Sequence, residues 1–245
     1  MNILVCISHV PDTTSKIHFT DNNTKLDKSG VQFIIGPYDD YALARAVELK
    51  EQTGGKITVL NVGEEETEPT LRKALAIGAD EAIRVSSFPM DSLFVARQIS
   101  HFAKQGAYDL ILMGRESIDF NGGMVHGMVG EMLGIPSISP VMKLEFQGNT
   151  GKLEREIEGG KEILEVELPF IAGCQEPIAE WKIPNMRGIM SARAKPLKVV
   201  TPVEGSLSTE VVEYLLPPAK GSVKIVDKDN VGELVRLLKT EAKVL

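Results

Sequence analysis

The residues best suited to chemistry lie where an apolar run meets a glycine-bounded polar loop. The stretch from Asp109 to Val125 is the clearest case. A buried strand is expected to end at Gly114, a polar loop to follow, and a helix to open at Gly122-Gly123. Free N–H groups at a helix start, with no Cβ beside them, form an anion site suited to phosphate. Asp119 would either hold the loop or accept from a ribose hydroxyl. The same residues also fit an ordinary strand–loop–helix connection.

A second stretch runs from Gly36 through Pro37, Tyr38 and Asp39 to Leu43. Asp39 reads as a natural N-cap with acids in the first turn. A capped helix explains the residues fully; a functional reading sets Pro37 and Tyr38 beside a nucleotide at the carboxyl edge of a sheet.

Familiar enzyme signatures are missing. The first strand is followed by Ser8-His9-Val10-Pro11-Asp12, without the glycines a dinucleotide-binding dehydrogenase needs. There is no GxxxxGK loop, no GxSxG elbow and no histidine pair at metal spacing. His126 sits at the expected phosphate-proximal turn, where a cationic ring would assist an anion, but a surface or boundary residue accounts for it better. His9, His18 and His101 show no spacing for ligation or acid–base work. Cys6 ends an apolar strand and reads as a small buried hydrophobe. Trp181 is either an interface anchor or a half-buried loop aromatic. No catalytic residue and no metal site is expected.

These segments need a scaffold. Ile3–Ile7, Ile57–Val62 and Leu110–Met113 are continuous aliphatic runs of the kind buried on both faces of a parallel sheet, with Ala82–Val85 as a shorter member. Between them fall helical patterns over Asp39–Gln52, Thr67–Ile77, Met90–Lys104 (capped by Asp91) and Gly123–Leu133. Strands alternating with helices predict βαβ units and an α/β sheet covered on both sides. After Pro136, Val141–Phe146, Lys152–Ile157 and Glu162–Leu168 alternate with the turn signals Gly148–Gly151 and Gly159-Gly160, which predicts an antiparallel hairpin addition at one sheet edge. Phe170–Cys174 is a final strand. From Lys195 the pattern breaks: Pro196, Pro202, Pro217 and Pro218 punctuate a stretch with no sheet-core run. Asn230-Val231-Gly232-Glu233 then opens a last helix as a capping box. Its stripe of Val231, Leu234, Val235 and Leu238 must bury itself on its own domain or on a partner. The expected division is 1–194 and 195–245.

The 245 residues carry a net charge of −7, with 43% hydrophobic and 25% charged, ordinary globular proportions that exclude disorder and low complexity. The acidic balance disfavours nucleic acid or an anionic membrane as partner. Two cysteines exclude a disulfide framework. No apolar run approaches the roughly 20 residues that span a bilayer, and the N-terminus lacks the basic flank and cleavage site of a signal peptide. A cytoplasmic protein without membrane insertion is expected.

Taken together, the motifs resemble the β subunit of electron transfer flavoprotein over essentially the whole chain. Val10-Pro11-Asp12 is similar to that family's V-P-D element, Gly36–Leu43 to its N-P-[YF]-D helix start, and Ala74–Asp80 to its A-L-A-x-G-A-D stretch. Asp109–Gly114 with Ile118-Asp119 matches its nucleotide loop, Arg155–Pro169 its signature hairpin, and Gly188–Pro196 the basic segment after its recognition loop. Departures are Ser8 and Gly36, where the family usually has lysine and asparagine, the turn Gly123–His126, the residues Leu153, Ala172 and Gly173, and the loop Ile183–Arg187.

The resemblance implies a doubly wound, mostly parallel sheet of Rossmann-like, adenine nucleotide α-hydrolase-like type with an extended C-terminal arm. It implies a heterodimer in which an α subunit carries the redox-active FAD and residues 195–245 dock on it, while residues 1–194 bind an adenine nucleotide, either AMP or, in electron-bifurcating members, a second FAD. By position, the nucleotide would lie against Cys6, Gly36, Pro37, Tyr38, Asp39 and Val62. Its phosphate would meet Gly122, Gly123, Met124 and Val125, with Gly114 and Asp119 shaping the loop. Met186 stands where the family presents a leucine to acyl-CoA or other flavin dehydrogenases. The chain itself would carry out no independent catalysis, unless a bifurcating type oxidises NADH. Two other readings of the residues are an ATP-splitting enzyme of the same architecture, and a nucleotide-sensing module that would leave the arm unexplained.

Overall fold

The computed structural model describes residues 1–245. In chain order the strands and helices are β1 (Asn2–Cys6), β2 (His9–Pro11), β3 (Phe19–Thr20), β4 (Lys25–Leu26), β5 (Phe33–Ile35), α1 (Pro37–Thr53), β6 (Lys56–Val62), α2 (Glu68–Ile77), β7 (Glu81–Val85), α3 (Ser92–Gln105), β8 (Leu110–Gly114), α4 (Val125–Leu133), β9 (Ser137–Gln147), β10 (Thr150–Ile157), β11 (Gly160–Glu167), β12 (Phe170–Cys174), α5 (Met186–Ala192), β13 (Leu197–Val200) and α6 (Val231–Leu237).

The aliphatic runs form the middle of a nine-stranded sheet ordered β11-β10-β9-β12-β8-β1-β6-β7-β13. From β9 to β13 every neighbouring pair is parallel, and β9-β10-β11 is an antiparallel meander at one edge. This is the expected α/β architecture, with the hairpin where the glycine turns put it. Successive side chains on β1 divide the core. Ile3 and Val5 pack with Leu43, Ala46, Leu71 and Leu75 from α1 and α2. Leu4 and Cys6 pack with Phe94, Ile99 and Val129 from α3 and α4. A strand with apolar residues on both faces is what a doubly covered sheet requires.

Helix boundaries follow the caps. Asp91 accepts from Phe94 N at 2.6 Å and starts α3 as expected. Asp39 does not cap α1. That helix begins at Pro37, with Gly36 at the N-cap and no side-chain cap, because proline's fixed φ suits the first helical position. Helix α4 likewise begins at Val125, two residues beyond the expected start, so Gly122 and Gly123 belong to the preceding loop. The stretch after Lys195, which shows no sheet-core run, nevertheless supplies β13 alongside β7. It is an edge strand with half its residues exposed, so it carries no long apolar signature. Two short ribbons, β2–β5 and β3–β4, stand apart from the main sheet. No helix is long and apolar enough to cross a membrane.

Candidate functional site

Strand β1 lies between β6, which follows it in sequence order on one side, and β8 on the other. This reversal of winding is the position at which open α/β sheets take ligands, outside the carboxyl ends of the strands. Cys6 is opposite Met113 in the register, and the loops leaving β1 and β8 therefore start side by side.

One carboxylate joins them. Asp39, in the first turn of α1, accepts from Ser8 N at 2.8 Å and Ser8 Oγ at 2.5 Å through Oδ2, and from Gly114 N at 2.8 Å through Oδ1. Burial pushes its carboxyl up to about 6, while the bonds from Ser8 and Gly114 act in the opposite direction. Gly114 is required here: a Cβ would strike Asp39 and Tyr38. Asp39 thus shapes the floor of the crevice, its oxygens already committed to the protein.

From Gly114 the chain continues into the loop from Arg115 to Met124. Asp119 accepts from Ser117 Oγ and, at 3.0 Å, from Phe120 N, so it holds the loop. Ser117 and Gly122 exchange backbone bonds, which consumes the Gly122 amide expected to face a phosphate. The amides of Gly123, Met124, Val125, His126 and Gly127, in contrast, donate to no group in the chain. They form the N-terminus of α4, which has no side-chain cap. A Cβ on Gly122 or Gly123 would meet only ordinary contacts, and neither has a positive φ, so the fold itself does not demand glycine at either position. What their absent side chains leave open is the approach to those amides.

The cation at the site is Arg115, which directly follows Gly114 and whose Nη2 pairs with Glu116 Oε1 at 3.3 Å. Its guanidinium lies 4.8 Å from the Tyr38 ring centroid. Its Nη1 donates to Gln175 Oε1 at 2.8 Å, and Gln175 Nε2 donates to Glu156 Oε2 at 2.8 Å. Arg115 Nε is buried without a partner, and so is Asn61 Oδ1 on β6, whose Nδ2 donates to Ile7 O at 2.9 Å. Burial lowers the pKa of His126, whose Nδ1 lies 3.2 Å from Ser137 Oγ. Its ring also bonds the backbone of Gly123 and Arg115, which acts in the opposite direction, and it is half-buried between α4 and the start of β9.

The expected site residues gather unevenly. Gly36, Pro37, Tyr38, Asp39 and Gly114 meet at the ends of β1 and β8, and Asp119 and Gly122 to Val125 lie on the loop and helix start that follow Gly114. Cys6 and Val62 end neighbouring strands, yet both side chains point into the α3–α4 core. Burial and the nearby Asp39 raise the Cys6 thiol far above its ordinary value, so it is inert. Met186 lies elsewhere, 73% exposed at the start of α5, which packs on α2. Trp181 is also exposed and donates to Asp40 Oδ2 at 3.2 Å. A cleft of about 740 Å³ lies between α3 and residues 202–206, away from these strand ends.

Comparison with known proteins adds a family. Residues 24–204 match the model of the electron transfer flavoprotein domain. Over all of both chains, the sequence is 36% identical to the protein named electron transfer flavoprotein subunit beta from Bacillus subtilis (strain 168). The protein of that name from Syntrophomonas wolfei is 32% identical over 100% of this chain and 98% of its own. The one from Clostridium acetobutylicum is 31% identical over 93% of each.

Proposed function

This chain belongs to the electron transfer flavoprotein family as a β-subunit member, and on that premise we propose that it is the nucleotide-holding chain of a two-chain electron carrier. Its role is in flavin-linked electron transfer. In the proposed form it binds an adenine nucleotide, AMP or FAD, at the β1–β8 crevice and pairs with an α subunit that carries FAD. The flavin, when bound, supplies the electron-accepting and electron-donating chemistry. This chain's residues bind, orient and exclude water.

The free amides from Gly123 to Gly127 carry the nucleotide reading. Unpaired N–H groups at the positive end of a helix suit a phosphate, and the open space beside Gly123 lets it approach. Arg115 stands close by with an unpaired buried N–H, and Asn61 offers an unpaired acceptor. Tyr38 and Pro37 would flank the nucleotide, and Asp39 keeps the two loops at fixed separation. Cys6 and Val62 would contribute backbone atoms only.

The arm supports pairing. The helix α6 is capped as expected, Asn230 Oδ1 accepting from Glu233 N at 3.3 Å. Yet Val231, Leu234 and Val235 remain exposed. Each is already about half buried, so covering the rest is worth about 1 kcal/mol apiece, which a partner surface would supply. Met186, with exposed Ile183 and Met190, is the proposed contact for acyl-CoA or other flavin dehydrogenases. Co-purification with the flavin-bearing chain tests the reading. The expected result is a yellow 1:1 complex, and a colourless monomer that turns over ATP would support an ATP-splitting enzyme instead.

A further inference from the structure

The arm is fastened to the domain before it is free. Gln98, fully buried on α3, donates from Nε2 to Val203 O at 2.9 Å and accepts from Val203 N at 2.8 Å. Asp91, besides capping α3, accepts from Ser208 N at 2.6 Å and Thr209 N at 3.2 Å. The last fastening lies at the β3–β4 ribbon. There the Tyr214 ring stacks on Phe19 with centroids 4.9 Å apart and planes 9° from parallel, and Tyr214 N donates to Asn23 O at 2.7 Å. No hydrogen bond or ion pair joins residues 215–245 to anything before them.

The ribbon is built for this contact. Its turn places Asp21, Asn22 and Asn23 in succession at φ 53°, 58° and 62°. Asp and Asn tolerate this left-handed region better than other non-glycine residues. With Thr24 N bonded back to Thr20 O and Asp21 O, the turn is closed locally, and the Asn23 carbonyl is left to receive the Tyr214 amide. The ribbon pairs only with itself and contributes nothing to the nine-stranded sheet, so the stack on Tyr214 is its evident employment.

We propose that the β3–β4 ribbon is the outermost anchor of the arm, fixing before any partner arrives the point and direction in which residues 215–245 leave the domain toward the flavin-bearing chain. The proposal rests on the pairing reading above and adds where the arm is held. Pre-organisation reduces the ordering cost of association, so losing the anchor slows pairing without altering the partner surface itself.

The test uses the full chain, its Phe19→Ala and Tyr214→Ala variants, and the double variant. Hydrogen exchange of the Tyr214 amide in the unpaired chain reports the anchor, and association kinetics with the purified α subunit report its consequence. In the wild type this amide is protected. Each single variant lowers protection at least about tenfold and slows association about tenfold. The double variant is no worse than either single, and the melting temperature of the sheet domain is unchanged. An unprotected amide in the wild type, or lost protection with undiminished association, overturns the proposal. A wild-type chain that does not pair at all refutes the pairing reading and, with it, the claim that the arm is directed toward a partner, while exchange still decides whether the anchor exists.

Discussion

Asp39 and Gly114, 75 residues apart in sequence, are joined by a 2.8 Å bond from the Gly114 amide to Asp39 Oδ1. The other oxygen of that carboxylate holds Ser8. A single buried side chain thereby sets the spacing of the two loops that bound the proposed nucleotide site. Burial pushes its carboxyl up to about 6, above an ordinary aspartate value near 4. A carboxyl with a folded value above its unfolded one holds its proton more tightly when folded. Its contribution to stability is therefore greatest below pH ~4, declines as pH rises from about 4 to about 6, and is level beyond. The decline is on the order of 2–3 kcal/mol. Urea unfolding at pH 4 and pH 7 should show it in the wild type and not in Asp39→Asn. The same pH dependence in both would assign the titration to another group.

Gly123 has room for a side chain and no positive φ. Gly123→Ala should leave the fold intact but lower nucleotide retention several-fold, because its Cβ narrows the approach to the free amides. Gly123→Asp should lower nucleotide retention about 10-fold to 100-fold by setting a negative charge at the free amides, with a melting temperature within about 2 °C of the wild type, as for a surface substitution. Equilibrium dialysis and calorimetry measure the two effects. Undiminished retention in Gly123→Asp would move the phosphate away from α4.

Gln98 gives both ends of its buried amide to the Val203 backbone. Gln98→Leu should strand that N–H and carbonyl, costing about 1–3 kcal/mol in stability, and should speed proteolytic cleavage after Val200. Denaturation and timed proteolysis report the loss together. Stability equal to wild type would show that the start of the arm is not held by this residue.

Helix α5 approaches α2 so closely that a Cβ on Gly188 would collide with the Ala76 carbonyl oxygen. Met186, on the outer side, makes no such demand. Met186→Ala should slow electron delivery to a partner dehydrogenase while leaving stability and nucleotide content unchanged. Gly188→Ala should lower the melting temperature as well as the rate, because α5 must shift. Stopped-flow flavin reduction separates the cases, and a Met186→Ala complex with wild-type delivery would discard this helix as the contact.

What was legible in the sequence follows from locality. β6, β8 and β12 announce themselves as aliphatic runs because both faces of each are buried, and the glycine turns at Gly148 and Gly159 mark the meander through a local positive φ. Strand β13 escapes notice because an edge strand needs only half its residues apolar. The ribbons β2–β5 and β3–β4 are too short for periodicity. Asp39 carries the composition of a cap, but its partners lie 31 and 75 residues away, so only the folded chain reveals a brace. Gly122 likewise reads as a free amide until its partner Ser117 closes the loop. Arg115 and Gln175 acquire meaning only when β8 and β12 lie side by side.

The most direct measurement is a count of nucleotides released from the purified two-chain complex, identified by mass and set against protein concentration. The account predicts the α subunit's FAD plus one adenine nucleotide for each copy of this chain, AMP or a second FAD. One FAD per complex and nothing more would contradict it.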